Sequence, residues 1–372
     1  MRCRSHSPLL TAALLALVGG NLPAQVTFRG FGTTNAYIQD MSADGSVVVG
    51  TFLLGTKSQT AFRWTAAGGL QEIGGYMDTV AMSRDGKTIV GSALDSQGIQ
   101  NAAIWMSGTN WRVLGGVHGG VPSAGSGSGK PSLSQGRAVS ADGSVIVGVA
   151  SVTTTQVHAF KWDALNGMAD LGTMVPNQES SAAGVSGNGK AIVGWTGNPA
   201  AALWVGDTRS GVVFVDGVAR LVHPYGWAGT ASATNDVGST IVGRYHPTNA
   251  AFDLSSSTTW RWSAWDGKLE DLGAVPIGPG IDKAEYGSQP FGLSDSGNVV
   301  VGVTGSFNQL ASIWTPTTGM VTVAGFLTAN GVTSHQGWGL SRSVYVSPNG
   351  KVIAGSGINP QKLPESWIVT LP

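Results

Sequence analysis

The chain has one cysteine, Cys3, and it stands ahead of the apolar stretch 9–18. Cleavage of a leader near Ala24 leaves no cysteine at all. Disulfides and thiol chemistry are then excluded from the mature protein, and its stability rests on packing. Lipid attachment is not expected, because a lipid-bearing cysteine would have to follow the apolar stretch. Charge is scarce too: Asp, Glu, Lys and Arg make up 11% of the chain, 21 basic against 21 acidic. Such a balance gives no positive field for a nucleic-acid backbone and no acidic run for a basic partner. After the leader no uninterrupted apolar run is long enough to span a bilayer, so no membrane span is expected in the mature chain.

Several catalytic and ligand signatures are missing as well. There is no His-Glu-x-x-His and no convincing Gly-x-Ser-x-Gly elbow. The glycine-rich run 123–136 carries Lys130, but Ala124 stands where a phosphate loop needs its first Gly, and Pro131 replaces the magnesium-binding Ser or Thr. It reads as a solvated linker. The Asp-Gly turns lack the alternating acids and closing Glu of a calcium loop. Three of the histidines would have to meet before a metal site formed, so neither metal nor cofactor is expected.

What the chain does have is 56 Gly, 13 Trp and a repeat. Arg2 and Arg4, the apolar stretch and a Gly-Gly before Ala24 read as a secretory leader over residues 1–24, followed by one domain over 25–372. Within that domain "SADGSVVVG" recurs in close variants from positions 42, 83, 140, 186, 235, 294 and 347. A spacing of 41 to 59 residues with several short strands per unit points to a propeller, because each unit has two apolar faces that only neighbours can cover.

Each unit divides into four strands. A short small-residue strand ends in the motif Ser, and the Asp-Gly or Asn-Gly turn leads into the "VVVG" strand. A third strand ends in Trp64, Trp105, Trp162, Trp204, Trp262, Trp314 or Trp367. A fourth follows, as in "LQEIGG", "MADLGT" and "MVTVAG". These tryptophans are expected to pack between blades rather than to stack a ligand. The last unit lacks a fourth strand, and residues 26–32 are a strand with no unit in front of them. The expectation is an all-β, seven-bladed β-propeller of four-stranded antiparallel blades, with the N-terminal strand closing the last blade. Blade four is hard to parse after Trp204, because "VVFV" and "VARLV" both offer strands, and an eight-bladed or irregular ring stays open.

The unit 158–195 resembles the HAF repeat of exported bacterial proteins. It carries His158, Ala159 and Phe160, then Trp162, the Gly-Met-x-Asp-Leu-Gly segment and the Asn-Gly turn. The other six units match more loosely. The resemblance implies an extracellular repeat protein of propeller type without assigned catalytic residues.

Loop lengths separate the two faces of such a disc. From motif Ser to closing Gly the distance is 8 in every copy, whereas closing Gly to Trp runs 14, 14, 14, 10, 19, 12 and 12. Links between blades vary more. Binding residues sit on variable loops over a rigid scaffold, so the face bearing the second-to-third-strand loops and the blade links is the candidate functional face. Its candidate ligand-binding residues are Tyr76, Tyr225, Trp227, Tyr245, His246, Tyr286, His335 and Trp338. The acids Asp78, Asp95, Glu179, Asp253, Asp282 and Glu285 fall on the same side. The function expected is that of a secreted, monomeric, non-catalytic binding protein for a glycan or an extracellular protein. The alternatives are a propeller enzyme acting on polysaccharide, for which two facing carboxylates are needed, and a structural part of an extracellular assembly.

Overall fold

The structure is a computed structural model, and it describes residues 25–372 other than 55–57, 76–79, 107, 125–130, 201–207, 225, 247–256, 276–286 and 306–308. The leader lies outside the described residues. The described strands form seven separate four-stranded antiparallel sheets, one per repeat. Blade three shows the pattern: Ser134–Val139, Val145–Ser151, Val157–Asp163 and Gly167–Asp170, in that order from the axis outward.

The repeated nonapeptide is the turn between the first two strands. In blade three the Ser140 hydroxyl donates to Asp142 at 2.6 Å, and its oxygen accepts the Val145 N–H at 2.9 Å. Ser42, Ser83, Ser186 and Ser347 repeat this arrangement with Asp44, Asp85, Asn188 and Asn349. The turn glycines of all seven copies have φ between 71 and 78°, a region open mainly to glycine.

The closing glycine has another cause. The first strand bulges opposite it in blades one, three, four, five, six and seven. A Cβ on Gly50, Gly148, Gly194, Gly243, Gly302 or Gly355 would lie closer than 3.0 Å to a first-strand carbonyl oxygen, that of Tyr37, Gln135, Ser181, Thr230, Gln289 or Arg342. The glycine therefore permits the bulge.

Seven apolar clusters fill the seven blade interfaces. Trp105 and Trp314 are buried members, while Trp64, Trp162 and Trp262 pack against their clusters half-buried. The tryptophans thus serve the interfaces between blades.

Residues Thr27–Thr34 complete the last sheet, pairing antiparallel with Pro364–Thr370 from Thr27↔Thr370 to Thr34↔Glu365. Glu365 fixes the seam: its Oε1 accepts the Gly32 N–H at 2.7 Å, and its Oε2 accepts from Asn359 at 2.8 Å.

Three details depart from the sequence expectation. In blade four the third strand is Arg209–Val215, and Phe214 stands opposite Ile192 where other blades place tryptophan. Trp204 lies outside the described residues, and the true closing-Gly separation there is 20, from Gly194 to Phe214. In blade seven Trp367 pairs with the closing Gly355, the position of Phe62, Phe160 and Trp260, while Val369 takes the usual tryptophan place. In blade six the fourth strand is only Gly319–Thr322, and a short helix, Val323–Ala329, takes over from it. Thr322 caps that helix by accepting the Gly325 N–H, and Leu327 is fully buried against blade seven.

Candidate functional site

The first strands surround the axis, and the lining is built from two positions along them and one in the turn that follows. Three residues before the motif Ser or its equivalent come Gln39, Val80, Arg137, Ala183, Ser232, Phe291 and Val344, and all seven line a chamber of ≈ 500 Å³. In blades one, three, four, five, six and seven this is the extra residue of the bulge or lies within it. A bulge leaves one residue out of the ladder and re-aims its side chain. Arg342 also lines the chamber, with its guanidinium carbon 4.9 Å from the centre of the Phe291 ring.

Next toward the turns is a collar of Met41, Met82, Val139, Val185, Thr234, Leu293 and Val346. Beyond it stand the second residues of the seven motifs: Ala43, Arg84, Ala141, Gly187, Asp236, Asp295 and Pro348. Collar and turn residues line a smaller cavity of ≈ 170 Å³. Arg84 crosses the axis there from blade two, pairing with Asp236 of blade five and, at 3.1 Å, with Asp295 of blade six. The turns are also bonded to each other. Ala43 N–H donates to Arg84 O, Arg84 N–H to Ala141 O and Ala141 N–H to Gly187 O, each at 3.0 Å. Asn188 N–H donates to Asp236 O, Asn235 Nδ2 to Asp295 O, and Asp295 N–H to Pro348 O. The turn-face end of the channel is stapled across the middle and around the edge.

Asp40 sits in the wall between chamber and collar. Its oxygens accept the N–H groups of Met41 and Met82, both at 2.7 Å. Burial still dominates and pushes its carboxyl up to about 7. Tyr345 beside it is raised above the usual tyrosine range, chiefly by burial and then by the charge of Asp40. Asp236 is raised as well, mainly by burial, against the pull of Arg84.

The aromatic candidates fall elsewhere. Tyr76, Tyr225 and Tyr286 lie outside the described residues. Tyr245 is buried between blades four and five, with its ring 4.8 Å from Trp227 and its hydroxyl 3.2 Å from Asp271. Tyr245 lies on the strand Thr240–His246, and His246 is buried at the end of it. His335 and Trp338 lie over the closing strand, at 6.2 and 5.4 Å from Phe28. Of the acids, Asp95 accepts N–H groups within its own turn, and Glu179 is half-buried; the other four lie outside the described residues. His223 is buried and neutral in character: its Nε2 accepts the Gly211 N–H at 2.7 Å, and burial lowers its pKa. Among the described residues no group of three His, Cys, Asp or Glu gathers as metal ligands would.

The axial residues escaped the sequence reading, but a signal for them exists. The second motif residue reads Ala, Arg, Ala, Gly, Asp, Asp, Pro within an otherwise uniform frame.

No family model and no curated protein matches this chain. Solved structures do. The β-propeller domain of the Trilobed protease from Pyrococcus furiosus superposes with a TM-score of 0.55 at 9% identity, over 90% of this chain and 93% of that one. A puromycin-hydrolyzing peptidase from Mycobacterium tuberculosis gives a TM-score of 0.55 at 12% identity over 92% of this chain, which spans 54% of the peptidase. TolB from Acinetobacter baumannii gives 0.45 at 14% identity, covering 77% of this chain and 61% of that one. At these identities the two matches with a TM-score of 0.55 show a shared fold alone. The Trilobed protease propeller is described as having an open velcro topology; here the closing strand is paired. No described helix is long and apolar enough to cross a membrane.

Proposed function

We propose that this chain is an exported, non-catalytic binding propeller of the HAF-repeat kind, taking a glycan or protein ligand on its loop face and into the axial chamber. One observation carries the reading: a chamber of ≈ 500 Å³ walled by one first-strand side chain from each of six blades, re-aimed by its bulge, and by Val80 of blade two. Its described wall offers the guanidinium groups of Arg137 and Arg342, the Gln39 amide and the Phe291 ring, with Asp40 as the carboxyl group. Apolar surface with a few placed polar groups is the make-up of a recognition pocket. Glycoside hydrolysis takes two carboxylates across the bond, and this wall supplies recognition groups instead.

The test is a glycan array together with a binding screen against extracellular and envelope proteins, both with folded mature protein. Saturable binding to a defined ligand, competed by that ligand in solution, is expected. Silence in both screens overturns the reading.

A further inference from the structure

Resting on that binding reading, we propose that the chamber recognises the free C-terminal carboxylate of a peptide, held by Arg342 with Arg137 across the ring. Arg342 belongs to blade seven and Arg137 to blade three, three blades apart by the shorter way round. Both line the same chamber, so an anion inside it meets positive charge from opposite walls. The Phe291 ring beneath Arg342 orients the guanidinium plane, and a planar fork matches a carboxylate through paired N–H donors. Ser181 orients Arg137, accepting its Nη1–H at 2.6 Å.

The opposing charge lies deeper. Asp40, next to the collar, is engaged at both oxygens by backbone N–H groups of Met41 and Met82. The two arginines therefore set the sign of the part of the chamber nearer the loop face.

The shape selects the end of a chain. At the turn face Arg84 and the bonded turns obstruct the axis, so a ligand that comes in from the loop face does not run through. A peptide is favoured over a sugar acid by the aromatic rings described at the chamber and over the loop face, since the open ring of Trp265 stands in the turn after Thr258–Ser263, on the turn face. Sugars stack on open ring faces, whereas Trp227 packs on Tyr245, Trp338 on Phe28, and Phe291 lies under Arg342.

The test probes folded mature protein with an array of short peptides of varied C-terminal sequence, each made as the free acid and as the amide, alongside oligogalacturonate. Free-acid peptides are expected to bind, with amidation or Arg342→Gln each weakening them about tenfold or more, the usual effect of losing a charge-assisted pair. Arg342→Lys keeps the charge without the fork and is expected to recover part of the binding. Lys268→Gln, on the turn face, removes one charge without effect. Thermal melts of the Arg342 variants that match the parent exclude misfolding as the cause. Equal binding of acids and amides overturns the carboxylate inference and leaves the binding function standing. Oligogalacturonate binding without peptide binding does the same. Silence with every probe overturns this inference, and the broader screens then decide the function.

Discussion

Replacing Gly148 by alanine adds one methyl group where the bulge of blade three brings the Gln135 carbonyl and the Phe160 ring against the neighbouring strand. The nearest atom is backbone carbonyl, so no flexible side-chain end can swing away. Relief requires the bulge to flatten. Overpacking a well-filled site costs about 1 to 3 kcal/mol, and backbone resistance places this substitution near the upper value, about 3 kcal/mol. Unfolding entropy of roughly 2.1 cal/mol/K per residue over 372 residues is about 0.8 kcal/mol/K. The melting temperature should then fall by about 4 °C. Calorimetry on Gly148→Ala is the assay, with Gly339→Ala as its control. Gly339 is also a strand glycine, but its added Cβ meets only Ile358 at 3.9 Å, and no fall is expected. Because flattening the bulge withdraws Arg137 from the chamber, ligand binding should weaken in Gly148→Ala alone. If its melt lies within about 1 °C of the parent, the link from closing glycine to bulge is wrong.

Two further outcomes follow from the seam and the histidines. Deleting residues 25–34 removes Phe28 and Phe31, both buried, and bares the edge of Pro364–Thr370. A loss of at least about 3 to 5 kcal/mol is expected from Phe28 alone, with aggregation through the open edge; an unchanged melt refutes the closure. His158 and His223 should act in opposite directions on stability with pH. The hydrogen bond and charge of Asp170 raise His158 above 6.5, so its contribution is complete below 6.5 and is lost as pH rises through the folded value. Burial lowers His223 below 6.5; the unfolded chain then binds the proton more readily, and stability falls as pH drops from 6.5. Urea midpoints across this range should lose their alkaline slope in His158→Gln and their acid slope in His223→Gln. Unaltered slopes exclude these assignments.

The blade count was legible because the Ser-x-Asp-Gly frame is a local device: a serine hydroxyl and an Asp or Asn side-chain oxygen two residues later make the same turn wherever they occur. The closing strand was legible as a surplus at one end and a deficit at the other. Blade four misled because "AALW" imitates a third strand, whereas the paired strand carries Phe214 after a longer excursion. The chamber was not legible for a deeper reason. A bulge is a mismatch between two strands, and a row of small residues such as "GRAVS" shows alternation without showing which residue is left over. Aromatics on long loops drew attention instead, yet Tyr245 and Trp338 are spent on packing.

The pairing of Thr27 with Thr370 decides how the disc can be held. The first residue of the closing strand and the last of its partner leave the ring side by side, on the turn face. Anything joined to either end, be it a surface, a linker or a neighbouring domain, must therefore grip the disc from one point on one side. The chamber mouth then points away from whatever holds it, like a cup on a stem. Two tethers would pull on adjacent ends of an antiparallel pair, which part like a zipper one bond at a time, so the same arrangement that presents the mouth also makes the seam the first place to yield under tension.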